Sequence, residues 1–241
     1  MHNQKAGRAR GQMISFQRPD GATINGYLAS PAVLTGAPAI VVIQEWWGIN
    51  DQIKGVADRL AECGYRALVP DLYRGALTVE EEEAHHLMNA LDFSDAVSQD
   101  IKGAVQYLQA DSDKVAVTGY CMGGALTLLA LSAIPEFVCG AVWYGFPPLE
   151  YLDASKIKAE LIGHWATQDA FFNIETVGEL ESTLHENNVD ATFYTYLAHH
   201  AFANEDAVGN GRIPGTQYDA TWSEMAWDRT LTFFGRKLWL S

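Results

Sequence analysis

Short apolar runs alternate along this chain with stretches whose apolar positions recur every three to four residues. That alternation predicts a sheet with helices packed on it. Residues 39–44 (AIVVIQ) are apolar up to the last position, as a strand buried on both faces requires. Ile53, Val56, Ala57 and Leu60 then mark one face of a helix that Gly64 ends. Residues 65–69 read as the next strand, closed by Pro70 and Asp71. Val97, Ile101, Ala104, Val105 and Leu108 form the stripe of a helix over 94–109. Further strands are predicted at 115–118, 138–144, 160–164 and 192–196, and further helices at 125–134, 174–186 and 220–238. Ahead of them, 13–16 and 23–29 predict an antiparallel hairpin around Pro19-Asp20-Gly21. The helix-prone segment 78–92, with four consecutive acids from Glu80 to Glu83, interrupts the alternation and is read as a lid or pocket wall.

With 241 residues, 48% of them apolar, the chain has material for one large α/β domain. No repeat or linker divides it, so residues 13–241 are read as that domain and 1–12, with Lys5, Arg8 and Arg10, as a disordered tail. Thirty acidic against 16 basic side chains give a net charge of −14, which argues against nucleic acid as a partner. No run of about 18 apolar residues predicts a membrane span, and no apolar stretch follows the early basic residues as a secretory signal would need. Cys63, Cys121 and Cys139 form neither a disulfide framework nor a metal-ligand spacing. The expectation is a cytoplasmic protein, monomeric or weakly dimeric, with Cys63 and Cys139 in the core.

The chemistry concentrates in Gly119-Tyr120-Cys121-Met122-Gly123-Gly124, directly after a predicted strand and before a helix. This is the setting of a Gly-x-nucleophile-x-Gly elbow, with Cys where Ser is commoner. Glycines are needed because side chains at 119 or 123 would strike neighbouring backbone, and the adjoining helix N-terminus favours a thiolate. A nucleophile needs a base, and the base an orienting acid. With such an elbow the partners follow in the order nucleophile, acid, histidine. Asp169 lies just past one later strand and His200 just past the next, with His199 as a rival for the histidine.

With these residues the sequence resembles the dienelactone hydrolase family from about Ile14 to Leu238. The likeness rests on Gln44-Glu45-Trp46-Trp47-Gly48, Pro70-Asp71-Leu72-Tyr73, the Cys121 elbow and His200-Ala201-Phe202-Ala203. The resemblance implies an α/β-hydrolase fold, a mostly parallel central sheet with helices on both faces. It implies a small lactone or activated ester as substrate, a thioester on Cys121, and no cofactor or metal. It also implies that Glu45 holds the resting thiol neutral and later helps deprotonate it, and that the Met122 and Trp46 N–H groups form an oxyanion hole. Trp47 stands beside Glu45 as a pocket candidate, and Trp143, Trp165, Phe171 and Phe172 are further aromatic candidates.

The chain departs from the family in the expected pocket. Family arginines that grip a substrate carboxylate align with Asn204 and Glu81, family aromatics with His85 and Met88, and the glycine before the catalytic histidine with His199. Arg74 and Arg212 are the candidates to compensate. The i, i+4 pairs Glu81–His85 and Glu82–His86 are read as a solvated helix surface rather than a metal site. Two other readings stay open: a ligand binder with a redox-sensitive Cys121, and an acyltransferase or phosphoesterase on the same fold.

Overall fold

The computed structural model describes residues 11–33, 35–209 and 213–240. Eight strands form one sheet in the order β1-β2-β4-β3-β5-β6-β7-β8. They are β1 (Gln12–Gln17), β2 (Thr23–Ala29), β3 (Ala39–Ile43), β4 (Arg66–Pro70), β5 (Val115–Tyr120), β6 (Phe137–Trp143), β7 (Glu160–Ala166) and β8 (Ala191–Tyr196). The predicted hairpin β1–β2 adds antiparallel to β4, and every other pairing is parallel. The result is a mostly parallel sheet of the α/β-hydrolase type.

Alternation along the strands builds a core on each face. Ala39, Val41 and Ile43 of β3 share one core with Val115 and Val117 of β5. Ile40 and Val42 point the other way, towards Ala67, Val69 and Ala116. The first face is covered by α4 (Lys102–Gln109), α5 (Met122–Ala133) and α6 (Ile174–Glu186). The second is covered by α1 (Asp51–Glu62) and α7 (Ala220–Phe234). Cap chemistry matches the helix starts: the Asn50, Asn173 and Asp219 side chains accept from Ile53, Thr176 and Trp222 N–H groups. The segment after β4 carries α2 (Glu81–Ala90), which buries only Ala84.

Three expectations need correction. Of the expected tail, residues 1–10 lie outside the described residues, but Gly11 already donates to Asp58 (2.9 Å) and Gln12 opens β1. The helix expected over 94–109 has three parts: α3 (Phe93–Asp95), a π-helical stretch Ala96–Ile101, and α4. The widened turn carries Asp100, whose buried carboxylate accepts from Arg18 (3.0 Å) and from both terminal nitrogens of Arg74 (2.9 and 3.0 Å). Arg74 is thereby committed away from any substrate. Cys63 is exposed, because it caps the C-terminus of α1 where the chain turns outward; Cys139 is buried in β6 as expected.

Among the described residues no helix is long and apolar enough to cross a membrane. Leu128 of α5 is fully buried in the first-face core. Leu128→Ala is expected to cost about 2–5 kcal/mol of stability, the usual range for a leucine truncation that leaves a cavity. Chemical denaturation measures this directly, and an unchanged midpoint would contradict the packing described.

Candidate active site

Glu45 and the three candidate catalytic residues hang from the carboxyl ends of parallel strands, where an open α/β sheet leaves a crevice. Glu45 follows β3, Cys121 follows β5, Tyr144 follows β6, Asp169 follows β7 and His200 follows β8. Cys121 has φ 53° and ψ −115°, a conformation that costs a non-glycine residue about 1–3 kcal/mol. Crowding enforces it. A Cβ on Gly119 would lie 2.1 Å from the Gly123 carbonyl oxygen, and one on Gly123 would lie 2.4 Å from that of Ile43. The sulfur is thus held half-exposed at the N-terminus of α5, where the helix dipole favours negative charge.

His200 Nε2 lies 3.1 Å from Cys121 Sγ, and Nδ1 lies 2.7 Å from Asp169 Oδ2. With a carboxylate as acceptor, Nδ1 carries a hydrogen and donates it. Asp169 is itself fixed by its own turn, its Oδ1 accepting from the Phe171 and Phe172 N–H groups at 2.8 and 3.0 Å. Burial pulls the His200 pKa down, but the facing Cys121 sulfur and Asp169 outweigh it and hold the imidazole up to about 10. His199 does not compete for this place: its Nδ1 faces the Gln168 carbonyl oxygen at 3.2 Å, away from the cavity lining.

Glu45 is buried beside this pair but bonded elsewhere. Its Oε1 accepts from the Tyr144 hydroxyl (3.1 Å) and its Oε2 from Asn204 Nδ2 (2.7 Å). Burial pushes the carboxyl above the usual range; the neighbouring His200 charge and the Asn204, Tyr144 and Trp47 donors oppose that. The expected resting partnership between Glu45 and the Cys121 thiol is therefore not what the geometry holds. Each carboxyl oxygen accepts from a group other than the thiol, and the sulfur faces His200 instead. Tyr144 was not singled out by sequence, although its place directly after β6 was the available signal. Its ring packs edge-on against His200 at 5.2 Å.

A cavity of about 940 Å³ opens over Cys121, lined by Glu45, Trp46, Trp47, His85, Met88, His200 and Asn204 among others. Phe171 and Phe172 line it too. Trp143 and Trp165 instead lie in the core, Trp143 stacked on Tyr120 and donating to Thr118, Trp165 against Phe193. Glu81 is exposed at the start of α2 and is not part of the lining; the α2 side chains that border the cavity are His85 and Met88. Arg212 lies outside the described residues. Met122 opens α5, and both Met122 and Trp46 border the cavity with backbone N–H groups that enter no turn or loop hydrogen bond among the described residues.

The family model described as the dienelactone hydrolase family matches residues 24–238. The chain belongs to the dienelactone hydrolase family. Two relatives are similar over nearly their full lengths. The protein usf of Aquifex pyrophilus is 32% identical, across 93% of this chain and 97% of that one. The carboxymethylenebutenolidase of Pseudomonas putida is 30% identical, across 91% and 94%. Among solved structures, a dienelactone hydrolase-like promiscuous phosphotriesterase from metagenomic libraries superposes with a TM-score of 0.83. It is 23% identical and matches across 95% of this chain and 99% of that one, a likeness of fold. As a member of the dienelactone hydrolase family, the chain is a carboxylic ester hydrolase.

The sign of the His200 shift yields a test. A histidine whose folded pKa is raised stabilises the fold below its unfolded value of about 6.5 and loses that contribution as pH rises through the folded value. Here the window ends at about 10. Cys121→Ala removes the group that raises the pKa most, so the His200 ring resonances, followed by NMR, are expected to titrate at lower pH than in the parent. An unchanged midpoint would separate the imidazole from the sulfur.

Proposed function

We propose that this hydrolase works through Cys121 as nucleophile, His200 as general acid–base and Asp169 as the group that orients the imidazole. The observation that carries the reading is the continuous chain from Asp169 Oδ2 through His200 to the Cys121 sulfur, 2.7 Å and then 3.1 Å, at the floor of the cavity. Sγ attacks the acyl carbon of an ester or lactone, and the carbonyl π electrons move onto oxygen. The Met122 and Trp46 N–H groups receive that oxyanion, a role worth about 3–4 kcal/mol per donor in comparable sites. The C–O bond to the alcohol breaks as the His200 imidazolium delivers its proton to the leaving oxygen. A thioester remains. Water, deprotonated by His200, attacks it and releases the acid and the thiolate, so one water is consumed and no cofactor is required.

Glu45 enters this scheme as a fixed buried carboxyl. Its bonds to Asn204 and Tyr144 leave the Cys121 proton to His200. Asp169→Asn is expected to lower kcat about 10³–10⁴-fold with little change in fold, by presenting the wrong imidazole tautomer.

The deciding experiment is intact-mass spectrometry during turnover of a neutral activated ester. A transient acyl adduct that maps to Cys121, and is absent from Cys121→Ala, is the expected result. Full activity in Cys121→Ala would end the proposal.

A further inference from the structure

The cavity has a shape and a chemistry that narrow the substrate beyond an ester or lactone. Strand β5 lies between β3 and β6, so the residue that follows β5 is flanked by two separate groups of rings. On the β3–β4 side, Trp46 packs edge-to-face on Trp47 (5.2 Å) and on His85 of α2 (4.7 Å). On the β6–β7 side, Phe146 packs on Phe172 (5.2 Å), and Phe171 and Phe172 lie 4.9 and 5.7 Å from the His200 ring. Cys121 stands between these walls. An acyl carbon attacked there projects its acyl group and its alcohol oxygen in different directions, and each direction meets an aromatic wall.

The volume agrees. About 940 Å³ lies near the top of the range of roughly 300–1,000 Å³ that holds drug-sized ligands. A single five-membered lactone ring would leave most of it filled with water.

Charge selects further. The carboxylate-bearing residues that border the cavity are Glu45 and Asp206, and no arginine or lysine borders it among the described residues. Asn204, which stands where the family resemblance expects an arginine, gives Nδ2 to Glu45, while its Oδ1 accepts from the Asp206 N–H at 2.9 Å. The His200 imidazolium at the cavity floor is already matched by Asp169 and the Cys121 sulfur, so a substrate carboxylate buried here would lose its water without gaining an uncommitted arginine or lysine.

We propose that the site takes a neutral ester with a sizeable apolar group on each side of the carbonyl, at least one of them aromatic, in preference to a compact anionic lactone. The proposal rests on Cys121 as the nucleophile, and the experiment separates the two ideas. The probes are 4-nitrophenyl esters of benzoic acid and of straight-chain acids of increasing length, the 4-nitrophenyl monoester of terephthalic acid, and an anionic dienelactone. Each is followed by product release and by the acyl adduct on Cys121. The expected result is a kcat/KM that rises about threefold to fourfold per methylene along the series. The benzoate is expected to exceed its carboxylate counterpart by about 100-fold, with the dienelactone lower still.

Met88→Arg, which sets a cation in the α2 wall, is expected to narrow the benzoate-to-terephthalate ratio; an unchanged ratio would count against the charge argument. Equal or better turnover of the anionic probes overturns the substrate inference while leaving the nucleophile intact. If Arg212→Ala then abolishes that anionic turnover, the responsible cation is identified and the inference stays overturned. Failure of every probe to acylate Cys121 overturns both ideas.

Discussion

The Cys121 amide donates to the Trp143 carbonyl oxygen at 2.9 Å, and the Cys121 carbonyl accepts from Gly124 and Ala125 at 2.8 and 3.2 Å. These bonds lock the turn between β5 and α5 in a conformation an isolated cysteine would avoid. The strain is held because the two cores fix both β5 and α5, leaving the turn no relaxed path. Everything else in the site is aimed at the point so defined. The histidine reaches the sulfur from the loop after β8, and the acid reaches the histidine from the turn after β7. A nucleophile on a flexible loop would give that geometry nothing fixed to address.

Much of this could be read from sequence because it follows from local rules. The AIVVIQ run, short, β-branched and continuously apolar, reads as a strand buried on two faces, and residues 39–43 of it form β3. Helix α6 runs over Ile174–Glu186 as the stripe of Val177, Leu180 and Leu184 dictates. The elbow glycines specify a close approach, and the order of Cys121, Asp169 and His200 specifies where their loops meet. The features that escaped depend on three-dimensional accidents of direction. Nothing in a period of 3.6 residues reveals the π-helical stretch at Ala96–Ile101, because one extra residue in a turn leaves the apolar stripe almost intact. Trp143 and Trp165 could not be told from Phe171 and Phe172 by type. The first pair sits within strands and faces the cores, whereas the second follows β7 and faces outward over His200. Helix α2 held both outcomes at once: its acids gave the correct impression of a solvated face, and only the fold shows that His85 and Met88 border the cavity while Glu81 does not.

Glu45 illustrates how a shared motif can sit in an altered setting. The residue type and its place after β3 match the family pattern, yet its partners are set by Tyr144 and Asn204, which lie 99 and 159 positions further along the chain. A buried carboxyl held by the neutral donors Tyr144, Asn204 and Trp47 has little reason to move, since leaving them would strand polar groups away from water. The Cys121–His200 pair and the Glu45–Asn204–Tyr144 group are therefore neighbouring but separately satisfied units.

The widened helical turn around Asp100 has a consequence for how the chain tolerates changes of length. An α-helix advances about 100° per residue, so deleting one residue between 96 and 101 would convert the stretch to regular helix only by rotating one end against the other. Asp100 could then no longer face Arg18 from the β1–β2 hairpin and Arg74 from the loop after β4 at the same time. Point substitutions at the outward positions of this stretch leave that three-way clasp in place, whereas a single-codon deletion would undo it. The segment is thus forgiving of residue identity on its surface and intolerant of a change in count, a distinction that a comparison of related chains would register as variable letters in a run of fixed length.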